Sequence, residues 1–91
     1  MSDLLTAIHK SFRGSRAIVL RRILDMCDGH EALAITVEDL ARECGYEASS
    51  GFRRMLRDLE HERVLLVRPA RGRSPKAYAV NADVRAWERA A

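Results

Sequence analysis

The chain has 91 residues, with 16 lysines and arginines against 13 aspartates and glutamates, a net charge of +3 and a pI of about 9.3. That length makes one small domain, 1–91, able to bury only roughly 60–65% of its unfolded surface and marginal without a staple or a partner subunit. No apolar run nears eighteen residues and no secretory h-region stands out, so no membrane segment is expected and a reduced, cytoplasmic chain is the reading.

The charge is unevenly spread. Residues 1–24 carry five basic and one acidic side chain, and residues 25–47 one basic and seven acidic. Residues 48–76 carry eight basic and three acidic, and residues 77–91 two of each. A concentrated positive segment hints at a polyanionic partner. Cys27 and Cys44 lie seventeen positions apart and form no C-x-x-C pair, so both are expected as small buried hydrophobes.

In chain order, Ser2 can cap a first helix over about residues 3–12, with Leu4, Leu5, Ile8 and Phe12 on one face. Gly14 ends it, and Ser15 caps a second helix over Arg16–Asp28. The stripe Ala17, Leu20, Ile23, Leu24 and Cys27 is widened by Ile18, Val19 and Met26. A helix apolar round most of its circumference is either central or shared with another chain. A homodimer is therefore expected, with Leu5, Ile8, Phe12, Val19, Met26 and Trp87 as candidate interface residues.

The turn at residues 28–31 leads to a short apolar run, Leu33–Ile35, read as a single strand. Thr36 then caps a helix whose first turn holds Glu38 and Asp39, where the helix dipole favours acids. Leu40, Ala41 and Cys44 form its inner side and Gly45 stops it. After a turn at 46–49, Ser49 or Ser50 starts a fourth helix that runs to Arg63. Gly51 in its first turn is locally unfavourable and is read as allowing close approach to a neighbouring backbone. Val64–Val67 and Ala77–Val80 are extended, and Arg68–Lys76, with two prolines and a glycine, is an exposed basic loop between them. Asn81 or Asp83 opens a last helix over about 82–90, with Val84 and Trp87 three apart.

The fourth helix organises the rest. At 100° per residue, Phe52, Leu56 and Leu59 share one face with Met55 at its edge. Ser50, Arg54, Arg57 and His61 share the opposite face with Arg53 beside them. One helix thus offers an apolar stripe to a core and an arginine stripe outward. A solvated face paired with Asp58 and Glu62 is the plain alternative.

The order of a helix, Thr36–Gly45, Ser49–Arg63 and Val64–Val80 resembles a winged helix-turn-helix domain over about residues 16–80. The run Arg54, Leu56, Leu59, Glu60, Glu62, Val64, Leu65 is similar to the recognition helix and first wing strand of MarR-like and related bacterial regulators. Arg63 departs from that pattern, since glycine usually ends the helix there. The fold expected is mainly α with a small β-hairpin, in the order α-α-(β)-α-α-β-β-α.

The resemblance implies a recognition helix, 49–63, in the major groove and a basic wing, 68–76, on the flanking backbone or minor groove. The candidate DNA contacts on the helix are Ser49, Ser50, Arg53, Arg54 and Arg57. Those on the wing are Arg68, Arg71, Arg73 and Lys76. An arginine fork can bond guanine O6 and N7 together, and serine and lysine bond phosphates. The function expected is sequence-specific binding of double-stranded DNA by a small homodimeric transcriptional regulator, its two recognition helices about one DNA turn apart.

A second reading is an interaction module on the same fold, its basic face meeting an acidic protein partner. A third is a replication- or RNA-associated winged helix. Cys27 and His30 could supply two metal ligands, but no second pair follows, so no metal site and no cofactor are expected. Without a phosphate loop, nucleophile elbow or paired acids, the chain is not expected to be an enzyme.

Overall fold

The computed structural model describes residues 3–28 and 30–88. Its elements run α1 (Asp3–Ser11), α2 (Ser15–Cys27), β1 (Leu33–Ala34), α3 (Val37–Cys44), α4 (Ser50–His61), β2 (Leu65–Arg68) and β3 (Ala77–Val80), then a single 3-10 turn at Val84–Ala86. The domain is mainly helical, with four helices and a three-stranded antiparallel sheet in the order β1-β3-β2. Its radius of gyration, 12.3 Å, matches the roughly 12 Å of one compact chain of this length.

Local chemistry explains the element ends. The Thr36 hydroxyl oxygen accepts the Asp39 amide at 3.1 Å, and the Ser49 hydroxyl oxygen accepts the Phe52 amide at 3.2 Å. Each satisfies an amide that the first helical turn leaves orphaned. Gly45 closes α3 with φ 81°, and the Tyr46 amide reaches back to the Ala41 carbonyl at 2.8 Å. That is the left-handed C-terminal motif that favours glycine. The same motif ends α4 without one. Arg63 sits at φ 60° and the Val64 amide donates to the Leu59 carbonyl at 3.0 Å. The departure seen in the sequence is thus met by an arginine in a glycine conformation.

α2 is the axis of the fold. It packs against α1, α3, β1 and β3. Val19, Leu20 and Ile23 are fully buried in a core shared with Ile8, Leu40, Leu59, Val64 and Leu65. Much of the apolar circumference of α2 is therefore covered within one chain, while Ile18 stays 44% exposed. Three candidate interface residues are corrected on this ground: Ile8 and Val19 have no exposed surface and Phe12 only 7%. Ile8 and Phe12 tie the N-terminal segment to the core, Val19 belongs to the buried face of α2, and all three are closed to a partner. Cys27 is buried, whereas Cys44 is only half-buried.

β3 is the central strand. Tyr78 pairs with Leu33 on one side and with Val67 on the other. The two-residue β1 therefore turns the expected hairpin into a three-stranded sheet, its pairing extended by the Ile35 amide on the Lys76 carbonyl at 3.1 Å.

Two further expectations change. Ser15 does not cap α2; it is the first helical residue, preceded by Gly14 at φ 66° with no side-chain cap. The last helix reduces to the 3-10 turn, because Trp87 leaves it in extended geometry. Its ring meets Phe12 at 5.8 Å and its indole N–H donates to the Asn81 carbonyl at 2.9 Å. The Glu88 amide then bonds the Glu62 carbonyl at 2.6 Å, drawing the chain along the end of α4. The predicted Ser2 cap, Gly29 of the first turn and residues 89–90 of the last helix lie outside the described residues.

Candidate nucleic-acid interface

α4 is amphipathic as its spacing predicts. Phe52, Leu56 and Leu59 are buried, and Ser50, Arg53, Arg54 and Arg57 are exposed. Ser49 stands just before the helix as its cap, so its oxygen positions the first turn while its hydroxyl proton remains free to donate. Gly51 meets no backbone. A Cβ there would lie 3.7 Å from the Ser49 hydroxyl oxygen, an ordinary contact. The close approach expected at this glycine is absent within the described chain.

The loop between β2 and β3 is a long hairpin. Arg71 bridges Ser74, whose amide donates to the Arg71 carbonyl at 2.8 Å. Of the two central residues only Gly72 has positive φ, 55°, the pattern of a type II′ turn. That turn sets Arg71 and Arg73 at the exposed tip, with Arg68 at the base of β2 and Lys76 just before β3. α4 and the hairpin meet in a groove of about 160 Å³ lined by Arg53, Arg57, Glu60, Lys76 and Tyr78 among others. The structure thus brings Lys76 beside the arginines of α4. Burial pushes the Tyr78 phenol above its usual range, with Glu60 and Glu38 acting in the same direction and Arg53 against them.

The ion pairs sort the seven charged candidates. Arg53 donates to Glu38 of α3 at 2.6 Å, and Arg68 donates to Glu31 at 2.6 Å. Among the described residues no carboxylate lies within ion-pair distance of Arg54, Arg57, Arg71, Arg73 or Lys76. Asp58 and Glu62 do not pair with the arginine stripe. Arg16 of α2 holds them, at 3.6 Å and 3.1 Å. The charge of five side chains is left uncompensated at close range.

Glu31 and Glu38 are the participants that the linear pattern hides. Each sits in an acidic stretch whose plain role is capping and solubility, and their partners lie 37 and 15 residues away. No helical spacing signals such pairs.

The remaining interface candidates divide. Leu5, Met26 and Trp87 are half-buried, and Ile18, not among them, is 44% exposed. A concavity of about 700 Å³ is lined by Leu5, Ile18, Arg21, Leu24 and Asp28 among others. Among the described residues no three of histidine, cysteine, aspartate and glutamate group to hold a metal, and no helix is long and apolar enough to cross a membrane. Comparison with family models, curated proteins and solved structures finds no match to this chain.

Proposed function

We propose that the chain is a winged helix-turn-helix protein that binds double-stranded DNA and acts as a homodimeric transcriptional regulator. In this reading α3 and α4 are the helix-turn-helix. α4 enters the major groove, and the hairpin 68–76 is the wing on the flanking backbone or minor groove. One observation carries the proposal: among the described residues five cations on α4 and the hairpin stand without a carboxylate partner, while Arg16 on α2 draws Asp58 and Glu62 away from them. A merely solvated helix face gains nothing from holding its acids on another element. A face that meets phosphates does.

The homodimer is proposed through the outer side of α2. Ile18, Arg21, Asp25 and Asp28 recur there at helical spacing. Neither Arg21 nor Asp28 has an ion-pair partner among the described residues. An antiparallel two-fold contact about Leu24 would set Arg21 of each copy against Asp28 of the other, a self-complementary surface of the kind a closed dimer requires. Light scattering is expected to give a dimer for the wild type and a monomer for Arg21→Glu.

Fluorescence anisotropy with mixed-sequence duplex across a salt series tests the DNA reading. Five free cations predict a slope of log affinity against log salt of about −4.5 per chain. Arg54→Ala/Arg57→Ala and Arg71→Ala/Arg73→Ala are each expected to make it shallower by about two. Competition with single-stranded DNA and RNA of equal length then tests the preference for duplex. No binding by the wild type at about 50 mM salt, where nonspecific contacts are strongest, defeats the proposal.

A further inference from the structure

Resting on that DNA-binding reading, we infer that the Arg53–Glu38 pair reads a G·C base pair in the major groove, while the unpaired cations hold phosphates. The two roles call for different electrostatics. A phosphate contact needs net positive charge and draws its affinity from released counterions. Arg53 has none to offer, because its Nη2 lies 2.6 Å from the Glu38 carboxylate. Bringing a phosphate to that arginine would also bring it to the acid. A base edge is neutral and carries no such conflict.

The remaining chemistry fits one base pair. Glu38 occupies one nitrogen of the guanidinium and leaves the other donors of the fork open. A guanidinium fork bonds guanine O6 and N7 together, and a carboxylate accepts from cytosine N4. The pair therefore presents donors and an acceptor side by side, as a G·C edge presents acceptors and a donor. Holding the arginine in advance lowers the rotamer entropy lost on contact.

Position supports the same division. Arg53 is the fourth residue of α4, in the N-terminal part of the helix, from which recognition helices reach base edges. Glu38 stands in the first turn of α3, where the Thr36 cap fixes the backbone. Both members come from capped helix starts, and Leu40 and Ala41 of α3 share one core with Phe52 and Leu56 of α4, so the seating of the two helices in that core sets their separation. About half of each side chain is exposed (48% and 56%), which leaves room for a base.

Selection of bound duplexes from a random pool, followed by anisotropy on the selected and a mixed duplex across a salt series, tests the assignment. Wild type, Arg53→Ala, Glu38→Gln and Arg57→Ala are compared, with melting curves showing that each exposed variant folds. Arg53→Ala is expected to lose a G·C preference at one position per half-site and to bind the selected duplex about tenfold more weakly. Beside these, Arg53→Ala/Glu38→Gln, which removes the pair at constant net charge, is expected to lose the same preference while keeping the wild-type affinity for mixed duplex and the wild-type salt slope. Glu38→Gln is expected to bind every duplex more tightly and to steepen the slope by about one. Arg57→Ala is expected to weaken all duplexes alike, with a slope about one shallower.

The inference is overturned if the charge-neutral Arg53→Ala/Glu38→Gln weakens all duplexes alike with a shallower slope, as Arg57→Ala is expected to, which makes Arg53 a phosphate contact. It is overturned equally if the wild type binds duplex with no base preference, which leaves the salt-dependent binding standing. Failure of the wild type to bind any duplex overturns both this inference and the function on which it rests.

Discussion

Arg16 of α2 donates to Glu62 of α4 at 3.1 Å, across 46 residues of chain, and its second terminal nitrogen lies 3.6 Å from Asp58. The pair does more for the charge of α4 than for stability. Exposed ion pairs contribute roughly 0–1 kcal/mol, and the Arg16 side chain is 37% exposed. Without Arg16, Asp58 can pair with Arg54, four residues before it on the same helix. Arg16→Ala is therefore expected to weaken duplex binding several-fold while leaving the melting temperature within a few degrees. Anisotropy beside a thermal melt checks this, and unchanged binding would sink it.

Arg68 offers the contrast within the hairpin. Glu31 already compensates it, whereas Arg73 has no acidic partner among the described residues. Arg68→Ala/Glu31→Gln, which removes the pair at constant net charge, is expected to leave the salt slope of duplex binding unchanged and Arg73→Ala to make it shallower by about one. Equal effects from the two variants would mean that the Glu31 contact yields to phosphate.

Gly51 is a stability reserve in the first turn of α4. Nothing but its own cap residue lies near the place of a missing Cβ, and its φ is not positive. Gly51→Ala is expected to stabilise the fold by about 0.5–1 kcal/mol. For a domain of this size that raises the melting temperature by about 2–8 °C. A duplex affinity that falls as the melting temperature rises would show that a nucleic-acid backbone passes over this glycine.

Arg63 stores a backbone cost. Its φ of 60° is a conformation that costs a non-glycine residue roughly 1–2 kcal/mol. The arginine partly offsets this through an exposed pair with Glu88 at 3.5 Å. Arg63→Gly is expected to raise the unfolding free energy by up to about 1 kcal/mol in urea melts. A loss of stability instead would show that the Glu88 contact outweighs the backbone cost.

Alkaline pH acts through Tyr78. Burial raises its phenol pKa in the folded chain, whereas the unfolded chain ionises it near the ordinary value of about 10. The unfolded state thus sheds the proton first. The corresponding stability is fully present below about pH 10 and is lost as pH rises toward the folded value. Tyr78→Phe is expected to flatten this alkaline decline, read as urea midpoints between about pH 9 and 11. A parallel decline in both proteins would place the effect on another group.

Helix order and the amphipathic division of α4 were legible because caps and apolar spacing are local signals. Thr36, Ser49 and Gly45 act where their chemistry places them. What eluded the linear pattern depended on distant partners. β1 is a strand only because β3 lies beside it, and Ile8, Phe12 and Val19 looked available to a second copy because their cover comes from elsewhere in the chain. Trp87 was expected within a last helix, but its bond to Asn81 and contact with Phe12 hold it in extended chain instead. Within the candidate site the basic residues were visible, whereas the acids that hold Arg53, Arg68 and Arg16 were not.

The placement of β3 between β1 and β2 has a consequence for synthesis. Leu33 waits for Tyr78, forty-five residues later, and α2 packs on that same strand. A nascent chain on the ribosome can form its helices early, since these close locally, but its sheet cannot be completed until residue 80 has cleared the exit tunnel. Until then the face of α2 that β3 covers stays open to water and to other chains. The sheet is therefore the last part of this domain to close, and a polypeptide halted just short of Ala77 is the form most exposed to chaperones and to aggregation.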